Sequence, residues 1–372
     1  MRDAGDPGTA DLAFGVRRAL AVVARALLCA RGRSKLAWMM LIVVLGGGCS
    51  LFRDTVNASP GLRWWLFSNF GANQLCPEML RRGVPLRLTQ GSNVIGRFFP
   101  NRCQHVVNDP AQTVTLHFGG NGYGWTPVAG RIGFVASAAV ELRPDFFLAE
   151  DAMYVWGRIQ RVVQGPELRI DGSENALVDW ATKGPLGQIA SSFAGQIMSS
   201  QLTSGFTVVR TDEGDEFSLG ILQPPARPKR PFDVSGDERY VFANETAEIR
   251  AEQVDFLGPV LVPKAGQAIF FRHRSQGPAA EALVYDRRVA DYFRDGLQRG
   301  TPLGPPAQPP IASFVLGVGE SEQKLRVPPG EYMIVVDHSS RVGRVNPPWN
   351  PLATVGGGTL VLSYRLELGE AD

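Results

Sequence analysis

A chain of 372 residues with 44% apolar and 20% charged residues can bury hydrophobic cores, which excludes wholesale disorder and predicts two or three domains. The formal net charge of +2 excludes the strong basic field of a typical nucleic-acid-binding protein, so no nucleic-acid partner is expected. The 42 glycines and 27 prolines predict many turns, and therefore a mainly β fold instead of a helix bundle.

Residues 31–49 are ordered like a secretory signal peptide. Three basic residues within 31–35 come first, an apolar stretch of ten residues follows at 36–45, and three glycines then precede Cys49. The apolar stretch is too short to span a bilayer, which needs about 20 residues, so a cleaved leader is expected. Residues 1–30 are explained either by a start codon assigned too early or by an amphipathic helix.

The three glycines followed by Cys49 resemble the lipobox of bacterial lipoproteins, although Leu45 stands one position further from the cysteine than in that pattern. The resemblance implies that residues 1–48 are removed and that Cys49 carries a diacylglycerol and a fatty acid such as palmitate. Ser50 after the cysteine implies sorting to the outer membrane. A plain cleaved signal peptide and an uncleaved membrane-associated helix are the alternatives.

The chain has four cysteines, at positions 29, 49, 76 and 103. If the chain is cut before Cys49, then Cys76 and Cys103 remain as an even pair in an oxidising compartment. A disulfide between them is therefore expected. Two buried free thiols are the alternative for a cytosolic chain.

A lipidated tether is predicted at 49–60, followed by a helical segment at about 61–82. Four aromatic residues of this segment are candidate membrane contacts, because amphipathic aromatic side chains settle at bilayer interfaces. The alternative, which we favour at this point, is that they pack on the first sheet. The four residues are Trp64, Trp65, Phe67 and Phe70.

Residues 61–222 are predicted to form an α+β domain in which an antiparallel sheet packs on one helix. Alternation of apolar and polar residues, as at 113–118 and 131–142, indicates half-buried strands. Apolar residues three or four apart predict the helix at 185–203. The glycine-rich segment 119–124 is expected to be a hairpin tip, because no helix start follows it as in a phosphate-binding loop.

Four prolines at 223–233 indicate a stiff linker and a domain boundary. Residues 234–372 carry about seven short strands and are predicted to form a β-sandwich of jelly-roll or immunoglobulin type. One of these strands is expected at 247–256, and a short helix at 288–297. The segment 328–337 resembles the penultimate strands of bacterial pre-peptidase C-terminal sandwich domains, which implies an accessory domain without chemistry of its own.

No catalytic residue is assigned from the sequence. The four histidines and four cysteines form no zinc-binding motif, so neither a metal nor a cofactor is expected. Asp337, His338 and Ser339 are the residue types of a hydrolytic triad, but triad members come from separate elements, so a turn after a strand is expected there. The acidic segment 212–216 lacks the spacing of a calcium-binding loop and is expected to be a hairpin turn.

Together these patterns predict a lipid-anchored, non-enzymatic protein of the bacterial cell envelope, at the outer membrane and facing the periplasm or the cell surface. A sheet curved around the helix at 185–203 would enclose an apolar groove, so a lipid or another hydrophobic ligand is the expected partner besides the membrane. Two alternatives stay open. One is a structural or assembly subunit that docks an envelope protein, and the other is a hydrolase acting on envelope glycans with carboxylates alone.

Overall fold

The computed structural model describes residues 49–87, 92–126, 130–173, 204–233, 239–346 and 358–371. The predicted leader at 1–48 and the predicted helix at 185–203 lie outside the described residues. The chain divides into two compact units, residues 1–60 and 61–372. In the first unit, helix α1 spans Cys49–Ala58. Within the described ranges, no helix has the length and apolar character needed to cross a bilayer.

A helical segment opens the second unit, as its sequence predicts. Helix α2 spans Pro60–Leu66, a π-helical turn spans Phe67–Gly71 and helix α3 spans Ala72–Arg81. Helix α4 spans Arg287–Gln298, which confirms the helix predicted at 288–297. Helices are therefore a minor part of the described structure.

Fifteen strands are described, which confirms the prediction of a mainly β fold. They are β1 (Val84–Arg87), β2 (Val94–Asn108), β3 (Thr113–Thr126), β4 (Gly130–Leu148), β5 (Met153–Ser173), β6 (Phe206–Thr211), β7 (Gly214–Leu219), β8 (Tyr240–Ile249), β9 (Gln253–Val262), β10 (Gln267–Gln276), β11 (Ala280–Asp286), β12 (Ala312–Leu316), β13 (Gly319–Leu325), β14 (Gly330–His338) and β15 (Leu360–Glu370).

Strands β1 to β7 form an antiparallel meander in which each strand pairs with the next one along the chain. Strand β8 then pairs in parallel with the meander at two points, where Val241 lies opposite Gly214 of β7 and Ala247 lies opposite Val94 of β2. Strand β8 thus joins both sides of the meander, and the same sheet continues beyond it through β15, β10 and β13.

Strands β8 to β15 form the sandwich that the sequence predicts, and their order identifies it as a jelly roll. One layer has the order β8-β15-β10-β13 and the other has the order β12-β11-β14-β9. Numbered one to eight from β8, these orders are 1-8-3-6 and 5-4-7-2, which is the jelly-roll arrangement of two Greek keys. The core between the layers includes Ile249, Leu257, Phe271, Val284, Ile334 and Leu362.

A second core covers the outer face of the four-stranded layer. Helix α4 packs there through Ala290, Phe293 and Leu297. Phe99 of β2 and Tyr123 of β3 belong to the same core, so the meander and the jelly roll are joined by shared apolar packing. The four-stranded layer is consequently buried on both faces.

The segment 119–124 is not a hairpin tip, and that prediction is wrong. These residues lie inside β3, paired with β2 on one side and with β4 on the other. At Gly120 and Gly122, neighbouring groups occupy the space that a side chain would need. A Cβ at Gly122 would lie 2.6 Å from the Phe134 ring, and one at Gly120 would lie 2.2 Å from the Phe99 carbonyl oxygen.

The prediction of one strand at 247–256 is also wrong, because two strands occupy this range. Strand β8 ends at Ile249 and β9 begins at Gln253. Glu252 between them adopts a φ of 61°, a left-handed conformation that is uncommon for a residue other than glycine. Apolar residues on both sides hide this turn in the sequence.

The proline-rich segment 223–233 packs against the jelly roll at its C-terminal end. Phe232 is buried, and the Asn244 side chain accepts from its N–H and donates to its carbonyl oxygen. The guanidinium groups of Arg272 and Arg274 lie 5.2 Å from the Phe232 ring. Strands on both sides of this segment belong to one sheet. The domain boundary at 223–233 stays a prediction.

Candidate functional site

The helical segment at 61–81 is held against the meander by side chains near its start. The Arg63 guanidinium makes two hydrogen bonds to the Asp145 carboxylate on β4, at 2.7 and 3.3 Å. The Trp64 indole donates to Asp109, in the turn between β2 and β3, at 3.1 Å. These contacts fix the first turn of the segment on the sheet.

A disulfide holds the other end of the segment. The Sγ atoms of Cys76 on α3 and Cys103 on β2 are 2.04 Å apart, so the disulfide expected from the sequence is present. Helix α3 is thereby joined covalently to β2 of the meander.

The structure separates the four candidate aromatic residues into two pairs. Phe67 is buried and its ring stacks on the Trp64 ring at 6.2 Å. Trp65 and Phe70 keep 43% and 45% of their surfaces exposed and meet edge to face at 5.8 Å. The exposed pair Trp65–Phe70 is therefore the part of the segment that is available to a partner.

The π-helical turn brings the exposed pair together. Residues five apart point about 140° away from each other in an α-helix of 3.6 residues per turn. A π-helical turn is wider, with i→i+5 hydrogen bonding. The turn Phe67–Gly71 contains Phe70 and begins two residues after Trp65. The helical segment itself adds no charge beside the pair, because no charged residue occurs from Trp64 to Pro77.

A buried ion-pair network lies where the meander meets the jelly roll. Arg97 of β2 makes two hydrogen bonds of 2.9 Å to Asp255 of β9 and a third ion-pair contact of 2.9 Å to Glu245 of β8. Arg97 also donates to the hydroxyl of Tyr364 at 3.1 Å, and Tyr364 donates to Glu245. Tyr123 of β3 donates to Asp255 at 2.5 Å.

Burial and mutual pairing set the charges of this network. Burial acts to lower the pKa of Arg97, because it disfavours the charged form. Asp255, Tyr364 and Glu245 outweigh burial and hold this pKa well above the usual value. Burial raises the pKa of Tyr123 and of Tyr364, so both phenols stay protonated. Beside Asp255 lies a cavity of about 20 Å³, which has room for about one water molecule. It is too small for a lipid or a sugar.

Two buried carboxylates form a second polar cluster in the four-stranded layer, one register position away from Asp255 of β9. Glu281 of β11 and Asp337 of β14 lie directly opposite each other in the strand register. Asp337 accepts from the Ser339 N–H and hydroxyl at 3.1 and 2.6 Å and from the Gly343 N–H at 2.6 Å. The Arg344 guanidinium and N–H donate to Glu281. The loop at 339–344 therefore closes over both carboxylates.

Burial determines the protonation of this carboxylate pair. Burial raises the pKa of Asp337 to about 6, although the three hydrogen bonds from Ser339 and Gly343 oppose the shift. Burial acts in the same direction on Glu281, but the Arg344 N–H and guanidinium outweigh it and lower the pKa of Glu281. One carboxylate is thus held charged by an arginine while its neighbour titrates near pH 6.

The residues with triad chemistry do not converge. Asp337 bonds to Ser339, while the Nδ1 atom of His338 lies 3.0 Å from the carbonyl oxygen of Ile249 on the opposite side of the strand. Burial lowers the pKa of His338 and of His273. Within the described ranges, no group of three or more histidine, cysteine, aspartate or glutamate residues is arranged to hold a metal ion.

Apart from Asp337 and Ser339, which the sequence marks as triad residue types, sequence reasoning missed the residues of both buried clusters. A signal was present, because Arg97 interrupts the apolar run at 94–99 and Glu281 interrupts the one at 280–284. A single charge within an apolar run indicates a buried ion pair. Cys49 is the first residue of α1, and its lipidation stays a prediction.

No family model and no curated protein matches the chain. Among solved structures, the chain is similar to a glycoside hydrolase family 43 arabinoxylan arabinofuranohydrolase from Bacillus subtilis in complex with cellotetraose, with 9% sequence identity and a TM-score of 0.20. The match covers 71% of this chain and 66% of that chain, so it spans slightly less than two thirds of the enzyme. A likeness at this TM-score carries no conclusion about fold or activity.

Proposed function

We propose that this protein is exported and acts as a lipid-anchored, non-enzymatic protein of the bacterial cell envelope. The disulfide between Cys76 and Cys103 carries the proposal, because structural disulfides persist in oxidising compartments. The leader-like residues before Cys49 supply the route of export and the cysteine for the anchor.

The use of the buried polar groups supports a non-enzymatic role. Arg97, Glu245 and Asp255 satisfy one another within the network between meander and jelly roll. Glu281 and Asp337 are the sort of carboxylate pair that a glycan hydrolase needs, but the loop at 339–344 occupies them. Both clusters therefore serve the fold.

Metabolic labelling with a clickable palmitate analogue tests the anchor. We expect the wild-type protein to be labelled and Cys49→Ala to be unlabelled. Cys29→Ala is the matched control, since it removes a cysteine of the leader and leaves the acylation site intact. Equal labelling of wild type and Cys49→Ala would overturn the proposal.

Thiol trapping with a maleimide-linked polymer, added after cells are precipitated with acid and their proteins denatured, tests export independently. Cys76 and Cys103 are expected to be protected until reduction in the wild type, and to react freely when residues 36–45 are deleted. Protection in both forms would contradict export as the origin of the disulfide.

Native mass spectrometry of the mature protein, freed of its own acyl chains, tests whether the protein binds a lipid. The apolar groove expected around 185–203 lies outside the described residues. A co-purifying lipid would support hydrophobic ligand binding. An empty protein that captures one defined envelope protein would support an assembly subunit instead.

A further inference from the structure

The exposed pair Trp65–Phe70 leaves 43% and 45% of the two residues' surfaces open to solvent. We propose that this pair lies in the interfacial zone of the bilayer, between phospholipid headgroups and acyl chains, as a second membrane contact beside the anchor. This inference rests on the proposed function, because an acyl chain at Cys49 is what would bring the pair to a membrane.

The first argument is the rigidity of the platform that carries the pair. The two rings lie between the Arg63–Asp145 ion pair and the Cys76–Cys103 disulfide, so both ends of the segment are fixed to the sheet. Phe67 and Trp64 fill the inner side of the same turns. The outer rings are consequently held exposed in the folded protein, and they gain apolar burial only from something outside it.

The second argument is charge. The stretch Trp64–Pro77 has no charged residue, and its exposed side chains around the pair are the neutral Asn69, Asn73 and Gln74. Tryptophan and neutral polar groups are suited to the headgroup region of a bilayer. An uncharged surface predicts binding that does not depend on anionic lipids or on salt, unlike a polybasic contact.

The third argument is reach. Trp65 follows Cys49 by 16 positions, which span about 24 Å as a helix and at most about 55 Å when extended. A lipid on Cys49 would therefore keep the pair within that distance of the membrane. Aromatic rings held this close to a bilayer reach the boundary between headgroups and acyl chains, where amphipathic segments bury their apolar faces.

The test places an environment-sensitive fluorophore beside the pair in the mature protein. Asn73→Cys, one helical turn after Phe70, introduces the only free thiol, since Cys76 and Cys103 are bonded to each other and Cys49 would be acylated. Tyr292→Cys on α4, where the side chain is 80% exposed, is the matched control. Protein purified from membranes is reconstituted into vesicles of phosphatidylcholine, alone or mixed with phosphatidylglycerol.

We expect the label at 73 to shift to the blue and to be quenched by nitroxide-labelled phospholipids, equally in both vesicle types. The label at 292 should behave as in water. Trp65→Ser combined with Phe70→Ser should abolish the signal at 73 while the protein stays vesicle-bound through its acyl chains. Trp65→Phe keeps an aromatic ring and should retain most of the signal, which guards against an effect of misfolding.

Three results would overturn the inference. They are a label at 73 that stays in water on vesicle-bound protein, a signal that requires phosphatidylglycerol, and a signal in detergent that rises with protein concentration, which would indicate a second copy of the chain. Failure of the proposed function is recognised separately, by the intact mass of the mature protein. An unacylated chain whose label at 73 still enters vesicles would refute the anchor and support the inference.

Discussion

At the scale of single residues, the Arg97 guanidinium contacts three polar side chains, those of Asp255, Glu245 and Tyr364. Arg97 holds two carboxylates, Asp255 and Glu245, on strands of the jelly roll while its own backbone belongs to the meander. A buried ion pair adds little stability by itself, because desolvation offsets the attraction. Removal of one partner is costly, because it leaves the other charge buried and unpaired.

We expect Arg97→Leu to lower the free energy of unfolding by about 3–5 kcal/mol, since the buried Asp255 loses its counter-ion. Glu245 keeps a longer ion-pair contact of 3.6 Å with Arg87. Arg161→Leu is the control, because its 2.6 Å ion pair with Glu141 lies at the surface, where such pairs contribute about 1 kcal/mol or less. Urea unfolding midpoints measure both. Similar losses in the two variants would show that the network is not a buried charge cluster.

Asp337 gives the protein a pH dependence with a definite sign. Its pKa is about 6 in the folded protein and 3.8 in a free carboxyl group, so the folded state holds more protons between these values. The contribution of this group to the free energy of unfolding is full below pH 3.8 and falls as the pH rises to 6, by at most about 3 kcal/mol.

The test is the free energy of unfolding of wild type and Asp337→Asn, measured at several pH values from 4 to 7. When the two are plotted against pH, they should therefore converge or cross. The wild type should lose stability relative to the variant as the pH rises, because the asparagine cannot ionise. Glu370→Gln changes an exposed carboxyl group of β15 and should keep the wild-type slope. Parallel curves for wild type and Asp337→Asn would refute the assignment.

At the scale of elements, two glycines determine how α4 meets the meander. Gly133 of β4 and Gly172 of β5 are partners in the strand register. A Cβ at Gly133 would lie 1.9 Å from the Gln298 carbonyl oxygen, and one at Gly172 would lie 2.4 Å from the Gly300 nitrogen. The backbone at the end of α4 therefore rests directly on this strand pair.

Gly133→Ala should lower the free energy of unfolding by about 1–3 kcal/mol, because the added methyl group forces α4 away from β4. Gly165→Ala is the matched control on β5, where an added Cβ meets no atom within 4 Å. Thermal unfolding of both variants provides the measurement. An unchanged midpoint for Gly133→Ala would mean that α4 does not pack there.

The elements that the sequence predicts well are those whose pattern is local. The alternations predicted at 113–118 and 131–142 lie within β3 and β4, because side chains alternate between the two faces of a strand. The segment 119–124 and the π-helical turn Phe67–Gly71 were missed for the opposite reason. Their conformations depend on the Phe134 ring and on the fixed ends of the helical segment, which are distant in sequence.

At the scale of the whole molecule, residues 61–372 form one compact unit. The meander and the jelly roll share a sheet through β8, an apolar core through Phe99 and Tyr123, and the charges around Arg97. Loss of order in one part exposes core residues of the other. Cooperative unfolding is the consequence.

Calorimetry of the mature protein should accordingly give a single unfolding transition, with equal calorimetric and van't Hoff enthalpies. Arg97→Leu, which weakens the junction, should broaden or divide this transition. Two well-separated transitions in the wild type would support independent domains on either side of 223–233.

The global arrangement was beyond the reach of sequence patterns. The composition and alternation of 234–372 indicate a sandwich, but strand order depends on which distant strands pair, and hydrophobic periodicity carries no information about that. The candidate membrane surface shows the same limit. The sequence marks four aromatic residues, whereas only the fold places Phe67 inside and Trp65 outside.

The disulfide also has a mechanical consequence. Tension applied at the N-terminal end of the chain reaches Cys76 and passes directly to Cys103, so the residues between them lie in a slack loop that bears no load. Strand β1, Val84–Arg87, belongs to this protected loop. A pull from the membrane side would act on β2 at Cys103, where its register partner is Phe118 of β3.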